Sequence, residues 1–528
     1  MQKLTLPMND TYILSDLHLG EGRSPESRRF ARLESFFYDQ EFANFIDRVI
    51  VESMVRRNTA HLILNGDIFD FLTLIRVPDS RVLRTERFRL HRSEYRFGLG
   101  SSAAKSAWKI ERIVRGHPGF FLAILRFLEA GHRITIIRGN HDVELYWGAV
   151  QEKLVTTLAD IAKNNGFSTW TPEKLAAQLT IEQWFYYEPD RMYIEHGHQY
   201  DAGNSFRFPF NPVLPSHLTG EDTEILDYPT GSIFVRMMYN KLKQVDPFST
   251  HFVSLDRYLV LFGRATFIDI IRALTLHFPF FFRAIKAARF FELHGMDDVA
   301  RLNDQRIAEY SRKKNMPTET IQLLAGLMRE PVGKTKYSLV QEAFRPVIRA
   351  TATFSAIALL SVSAWFLLFT LIQGSGLLTS GLFLRASLLG ILAVATVAGL
   401  FVLFTTVHRK IRTPVDPSTV IYFQKAEEIA KILKVPIVAM GHNHTADLRP
   451  FKKCHGFYAN SGTWILTHGP WDVIKPKSRQ FTFVRVWGHD VEVMRWDDTV
   501  SRWEPVHLLE DYSPSPLERL IRDGEDNW

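Results

Sequence analysis

One cysteine, Cys454, stands among 528 residues. A disulfide framework needs pairs of cysteines, and a thiolate-based zinc or iron–sulfur site needs several, so both are excluded. Such sparing use fits a reducing compartment. Met1 to Asp16 lack the apolar run of a secretory signal, so the first domain is expected to stay on the side where it is made. Internal repeats are missing too, and so is any bias toward disorder or a collagen-like chain, because 46% hydrophobic and 23% charged residues are ordinary globular values. Charge of one sign is scarce: 64 Lys and Arg face 57 Asp and Glu, a net of +7. That mild excess permits an anionic surface or a phosphate-bearing substrate without requiring either. A chain this long divides into roughly three or four units at about 100–200 residues each.

One stretch is nearly devoid of charge. From Ala350 to Val407 the only ionisable side chain is Arg385, set among Leu, Ala, Val, Phe and Ile. A single crossing of the ~30 Å hydrocarbon layer takes about 20 residues. The stretch therefore reads as two spans, 350–372 and 386–407, joined by a turn containing Gly374, Gly376 and Gly381. Soluble helices rarely continue this long without a polar stripe.

Elsewhere, five short apolar runs each lead into a polar turn. They are Thr11–Leu14 before Asp16 and His18, His61–Asn65 before Gly66 and Asp67, and Arg133–Ile137 before Gly139, Asn140 and His141. The last two are Arg191–Glu195 before His196 and His198, and Pro436–Met440 before His442 and His444. Runs of this length suit strands buried on both faces. Helical patterns separate them, at Glu34–Arg57, Lys105–Ala130, Glu152–Asn164 and Thr419–Leu433. Alternating strands and helices, with polar groups gathered at strand ends, predict an α/β layered fold with its site on one rim. Phe457–Trp464 and Phe481–Trp496 read as closing strands, the latter turning at Trp487–Asp490.

Asp16 and His18, two apart at a strand end, share a face. With Asp67, Asn140, His196, His442 and His444 they form a set of carboxylates, imidazoles and an amide oxygen suited to Mn, Fe, Zn or similar ions. A carboxylate can bridge two such ions about 3.5–4 Å apart, and the pair can activate water and steady a phosphoryl oxygen.

Ser15-Asp16-Leu17-His18-Leu19-Gly20, Gly66-Asp67-Ile68-Phe69-Asp70, Gly139-Asn140-His141-Asp142, His196-Gly197-His198 and Gly441-His442-Asn443-His444 resemble the five ordered blocks of the calcineurin-like metallophosphoesterase superfamily. The match covers roughly residues 11–202 and 415–465; one block alone is weak, and five in order are strong. The first two are also similar to those of UDP-2,3-diacylglucosamine pyrophosphatases. The resemblance implies a layered α-β-β-α sandwich holding two divalent metal ions, with manganese favoured. One would be held by Asp16, His18, Asp67 and His444, the other by Asp67, Asn140, His196 and His442, and a bridging hydroxide would attack phosphorus. His141 matches the catalytic histidine and Asp70 its orienting partner.

The implied division is a first catalytic part at 1–204, a helical cap or insertion at 205–343, the hairpin region at 344–412, a second catalytic part at 413–496 and a tail at 497–528. His196 and His442 must meet at one metal, so the chain between them crosses the bilayer an even number of times. Arg345, Arg349, Arg409, Lys410 and Arg412 flank the hairpin against Arg385 at its far turn, which puts the catalytic domain in the cytoplasm. Arg283, Lys286 and Arg289, in Tyr258–Phe291, fall on one helical face and suit either a helix packed in a cap or one lying on lipid. Seven arginines between Arg76 and Arg96, with Arg76, Arg81 and Arg84 first, either rim the pocket with His198 and hold a substrate phosphate or form a solvated face.

The expected activity is a membrane-anchored phosphohydrolase cleaving a phosphodiester or pyrophosphate, with lipid-linked and nucleotide-sugar molecules as candidate substrates and membrane lipid as a neighbour. A nuclease or cyclic-nucleotide phosphodiesterase is the alternative enzyme, although no paired aromatic platform accompanies the arginines to favour nucleic acid. A non-catalytic membrane scaffold is the alternative of another class. It would be signalled by a lost ligand, and every expected position is filled.

Overall fold

The apolar runs become strands whose side chains alternate between two buried faces. β1 (Asp10–Leu14), β2 (Ala60–Asn65), β3 (Arg133–Ile137) and β4 (Leu179–Glu182) pair in parallel. β12 (Thr482–Trp487) joins β1 antiparallel, and β13 (Asp490–Asp497) and β14 (Arg502–Pro505) continue the meander, giving a seven-stranded sheet ordered β14-β13-β12-β1-β2-β3-β4. The second sheet uses β5 (Phe185–Glu188), β6 (Met192–Glu195), β9 (Ile437–Met440), β10 (Ala446–Pro450) and β11 (Phe457–Ser461), ordered β10-β11-β9-β6-β5, with only its edges antiparallel. β7 (Val213–Leu214) and β8 (Ile225–Leu226) form a separate small ribbon.

The computed structural model describes residues 10–240, 296–331, 417–466 and 480–506, apart from positions 25, 26, 87, 168, 220–222 and 489, and adds single positions 363, 366, 367, 370 and 390. The expected spans at 350–372 and 386–407, apart from those single positions, and Tyr258–Phe291 with Arg283, Lys286 and Arg289 lie outside the described residues. Among the described residues no helix is long and apolar enough to cross a membrane.

Side-chain alternation decides the layers. Ile13, Ile63 and Ile137 from the first sheet meet Ile194, Ile437 and Ala439 from the second in one inner core. Their neighbours Tyr12, Leu14, Leu62 and Leu64 face outward, onto helices Asp39–Arg56, Ala103–Gly116, Pro118–Glu129 and Gly148–Asn164. Tyr193, Val438 and Met440 likewise face helices Asp297–Lys314, Thr318–Gly326 and Pro417–Leu433. The fold is mixed α/β, with parallel and antiparallel pairing in both large sheets. At about 1.5–3 kcal/mol for each fully buried large apolar side chain, the shared inner layer alone is a major stabilising term.

The chain after Pro417 re-enters both sheets, so neither large sheet is complete without the two distant parts of the sequence. The described pieces of the 205–343 insertion serve this body in two ways. Helices Asp297–Lys314 and Thr318–Gly326 supply the outer layer of the second sheet through Tyr310, Ile321 and Leu324. Residues 205–240 lie against the loops at the strand ends: Asn240 Nδ2 donates to the Leu72 carbonyl (2.8 Å), and Arg236 donates to the Leu99 carbonyl (2.7 Å).

Several element boundaries differ from the sequence expectation. The helix expected at Lys105–Ala130 is two helices, because Pro118 has no N–H to continue the ladder and opens a second helix as its first residue. The helix expected from Glu34 starts at Asp39, since Glu34 is spent on the preceding loop. β14 adds an edge strand beyond residue 496, inside the segment expected to be tail.

Glu34 accepts N–H bonds from Gly20 (3.0 Å) and Gly22 (2.6 Å), which tethers the loop leaving β1. The buried His117 lies 3.4 Å from Glu34 and 2.9 Å from Asp39. Burial alone would strip the proton from His117, but Glu34 and Asp39 outweigh it and raise its pKa from 6.5 to about 9. The native chain thus holds a proton that the unfolded chain releases. The stabilisation is complete below about pH 6.5 and drains away as pH rises toward 9. We predict that His117→Gln, which strands the Glu34 carboxylate, costs about 3 kcal/mol near pH 6. The gap to wild type in thermal unfolding should narrow between pH 6.5 and 9. A constant gap across that range would refute the assignment.

Candidate metal centre

Five loops meet at the carboxyl ends of parallel strands, where open α/β sheets leave a crevice. β1, β2 and β3 deliver Asp16, Asp67 and Asn140 from the first sheet; β6 and β9 deliver His196 and His442 from the second. Backbone bonds lace these loops together. His18 N donates to the Asp67 carbonyl (2.9 Å), Asp16 N to the Gly66 carbonyl (3.1 Å), and Gly441 N to the His196 carbonyl (3.0 Å). Asp142 clamps two of them with its carboxylate, accepting from Gly139 N (2.6 Å) and Ile68 N (2.9 Å).

The donor atoms fall into two groups. Nε2 of His444 lies 3.1 Å from Asp16 Oδ1 and 3.2 Å from Nε2 of His18. Nε2 of His196 lies 3.2 Å from Asp67 Oδ2 and 4.0 Å from Asp16 Oδ1, and its ring centre is 5.2 Å from that of His442. Within each trio, Asp16–His18–His444 and Asp67–His196–His442, one ligand atom from each residue lies within 4.8 Å of the others. Ligand atoms about 2.0–2.1 Å from a shared cation stand roughly 3.0–3.4 Å apart, so the shorter contacts have the spacing of a coordination shell.

The hydrogen bonds behind these atoms show what the front atoms are for. His196 Nδ1 donates to the Asn65 carbonyl (2.9 Å), which leaves Nε2 facing two carboxylates with no hydrogen-bond partner among the described residues. Facing them it carries a second proton or offers its lone pair to a cation. Without a cation, burial would remove that proton, but Asp67 and Asp16 raise the His196 pKa to about 10. Asp16 answers in kind: burial opposes its charge, yet His444 and His196 hold its carboxyl down at about 2. Burial outweighs the pull of Asp16 and pushes His444 itself down to about 4, so its ring is uncharged near neutrality. The buried Asn140 Oδ1 and His442 Nδ1 also have no hydrogen-bond partner among the described residues. This donor set fits divalent cations.

Beside the two trios, Asp70 organises a pair of rings. Its Oδ1 lies 3.1 Å from His141 Nδ1, and its Oδ2 lies 3.7 Å from His18 Nδ1. Backbone N–H groups of Leu72 (3.1 Å) and Thr73 (3.2 Å) support the same carboxylate. Both imidazoles therefore turn Nε2 away from Asp70. Burial works against charge on His141, but Asp67 and Asp70 raise its pKa to about 9. Its side chain keeps 16% exposure, against 5% for His18 and 1% for His196, which makes it the ring open to an incoming molecule.

Backbone strain concentrates here. Asp16, His18, Asp67, His442 and His444 all have φ between 52° and 71°, a region that costs non-glycine residues of order 1–3 kcal/mol each. Close approach also demands glycine at two neighbours: a methyl at Gly139 would collide with the Asp67 carboxylate, and one at Gly66 with the His196 ring.

The remaining sequence-predicted positions lie elsewhere. His198 is buried behind the site, between the rings of His196 and Phe206 (5.5 Å each), and burial together with its neighbouring histidines keeps it neutral. It stands behind a ligand, not on an open rim. Arg76 pairs with Glu21 (2.9 Å), which also holds Arg112, while Arg81 and Arg84 are exposed on a short helix, Ser80–Thr85. Among the described residues, no hydrogen bond or ion pair joins these three arginines to the ligand set. Asp142, Asn65, Asp201 and Asn204 went unassigned in the sequence. The only signal for the last two was turn chemistry in Asp201-Ala202-Gly203-Asn204 directly after His198. A scan against protein-family models finds none that matches the chain, and a search of curated proteins finds no match either.

Saturating Mn²⁺ at about a hundred times its Kd should stabilise the fold by about 2.7 kcal/mol, read as a chelator-reversible rise in Tm. Gly139→Ala, which displaces Asp67, should lose most of that rise. A variant that gains as much as wild type would show that these atoms do not hold the ion.

Proposed function

We propose that the chain is a two-metal phosphohydrolase of the calcineurin-like kind that its motifs resemble, cleaving a phosphodiester or pyrophosphate bond. One observation carries this reading. Blocks scattered from Asp16 to His444 converge into two carboxylate–imidazole trios, and His141, held by Asp70, stands beside them. Two stacked sheets between helical layers support the α-β-β-α sandwich that the resemblance implies.

Asp16, His18, Asp67 and His444 would hold one ion, and Asp67, Asn140, His196 and His442 the other. Bound, the ions supply Lewis acidity, which makes water nucleophilic near neutral pH and neutralises charge on a phosphoryl oxygen. The protein's own work is positional and protonic. Asp70 fixes His141 Nδ1, directs Nε2 into the cleft and favours charge on the ring, which suits it to give a proton to the leaving oxygen or to balance its charge. Strained backbone at five positions and the Asp142 clamp hold the ligands before substrate arrives, which favours a catalytic centre over an inert scaffold.

The anchor belongs to the same proposal. With the His196 and His442 rings 5.2 Å apart, the 350–407 stretch leaves and rejoins one aqueous face, so its crossings are even in number. Two spans satisfy that, with the flanking arginines and lysine on the cytoplasmic side. A surface-bound enzyme gains most when its substrate shares the surface, which points to a lipid-linked phosphate or pyrophosphate.

Full-length protein should hydrolyse bis(4-nitrophenyl) phosphate in a metal-dependent manner, and a panel of monoesters, nucleotide-sugar pyrophosphates, lipid-linked pyrophosphates and oligonucleotides will rank its substrates. His141→Ala should lower kcat by about 10²–10⁴-fold with metal content retained. Asp67→Ala should lose metal and activity together. Wild-type rates in both variants would end the proposal. In sealed vesicles of known orientation, protease added outside should reach the catalytic domain only where the cytoplasmic face is outward; the reverse pattern would overturn the topology.

A further inference from the structure

Resting on the two-metal reading, we infer that Asn204 and Asp201 are positioning residues for one of the two ions: an outer chain of hydrogen bonds, Asn140–Asn204–Asp201–His442, orients two of its ligands.

Both ends of the chain are candidate ligands of the same ion. Asn140 Nδ2 donates to Asn204 Oδ1 (3.3 Å), Asn204 Nδ2 donates to Asp201 Oδ2 (2.7 Å), and His442 Nε2 lies 3.3 Å from that same oxygen. Asp201 sets the direction throughout, because an ionised carboxylate only accepts. Asn204 must therefore turn its NH₂ to Asp201 and its oxygen to Asn140. Asn140 must turn its NH₂ to Asn204, which leaves Oδ1 to face inward. His442 must carry its proton on Nε2, which leaves the Nδ1 lone pair. Asn140 Oδ1 and His442 Nδ1 are the two buried atoms of these side chains that lack a hydrogen-bond partner among the described residues. One charge thus selects two amide orientations and one imidazole tautomer, and every choice exposes a metal-binding lone pair.

The backing for this chain comes from the start of the insertion. Asp201 Oδ1 accepts Gly203 N (2.8 Å), and the Gly203 carbonyl accepts Gly231 N (2.7 Å). A side chain at position 231 would strike Asn204 Oδ1, and Ser232 Oγ reaches the Asn140 carbonyl (3.4 Å). The other trio is set differently: Ser15 Oγ and His442 N donate to Asp16, and Asp70 faces His18. Loss of the chain should therefore weaken one ion and spare its neighbour.

The test is stepwise Mn²⁺ loading of the full-length protein, followed by elemental analysis and electron paramagnetic resonance. Wild type should take up two ions per chain and show the signature of a spin-coupled pair. Asn204→Ala and Asp201→Ala should keep one tightly bound ion with an uncoupled spectrum and bind the second about 10- to 100-fold more weakly. Asp201→Asn, which retains one carbonyl acceptor, should lose less than Asp201→Ala, a graded rescue that general unfolding does not give. Two coupled ions in every variant, or equal weakening of both ions, would overturn the inference while leaving the two-metal reading standing. Fewer than two ions in wild type would instead remove the reading on which it rests.

Discussion

Asp16 and Asp67 are almost wholly buried, 0% and 1% exposed, and both face the same His196 nitrogen. Two carboxylates withdrawn from water at such proximity cannot both stay charged unless positive charge lies between them. In the ion-free chain that charge is protons: His196 and His141 are raised to about 10 and about 9. A divalent ion bound there would do the same work and would release protons as it bound. The strand ends, the glycines at 66 and 139, the left-handed backbone and the Asp142 clamp all keep these like charges close. The site is thus a source of instability within the fold, offset by the sheets beneath it.

Glu34 and His117 extend the same logic one layer out. The loop that carries His18 runs on through Gly20 and Gly22, whose N–H groups end on Glu34. Backbone donors and the nearby His117, at the joint between two helices, together offset the burial of the Glu34 charge. Pro118 therefore does more than break a helix. By ending the ladder it leaves His117 outside regular structure, between Glu34 and Asp39.

Much of this was legible in the sequence, because the motif blocks are local. A strand's apolar run followed by Asp, His, Gly or Asn within two or three residues announces itself, and all five such runs became central strands ending at the site. What stayed hidden acts at a distance or through short, half-polar pieces. β4 (Leu-Thr-Ile-Glu) and β10 (Ala-Asp-Leu-Arg-Pro) sit at sheet edges and mix apolar with polar residues, so their patterns are too weak to separate from loop. Asp201 and Asn204 read as turn residues because nothing local shows that their partners are Asn140 and His442. His198 misled for the opposite reason: a second imidazole in His196-Gly197-His198 looks functional, yet the chain turns into a 3-10 segment after Gly197 and carries that ring into the core.

The insertion lies between two halves of one site, an arrangement that sets limits on it. Loop closure costs grow only slowly with length, so a long excursion between His196 and His442 is thermodynamically tolerable provided its ends stay close. Its described beginning and end are both tied down near the ligands: Asp201 and Asn204 reach His442 and Asn140, and Arg329 N donates to the Gln199 carbonyl (2.9 Å). Ser205 closes the same junction by donating to the Arg329 carbonyl (2.7 Å). The described exit and return of the excursion therefore lie against the candidate site.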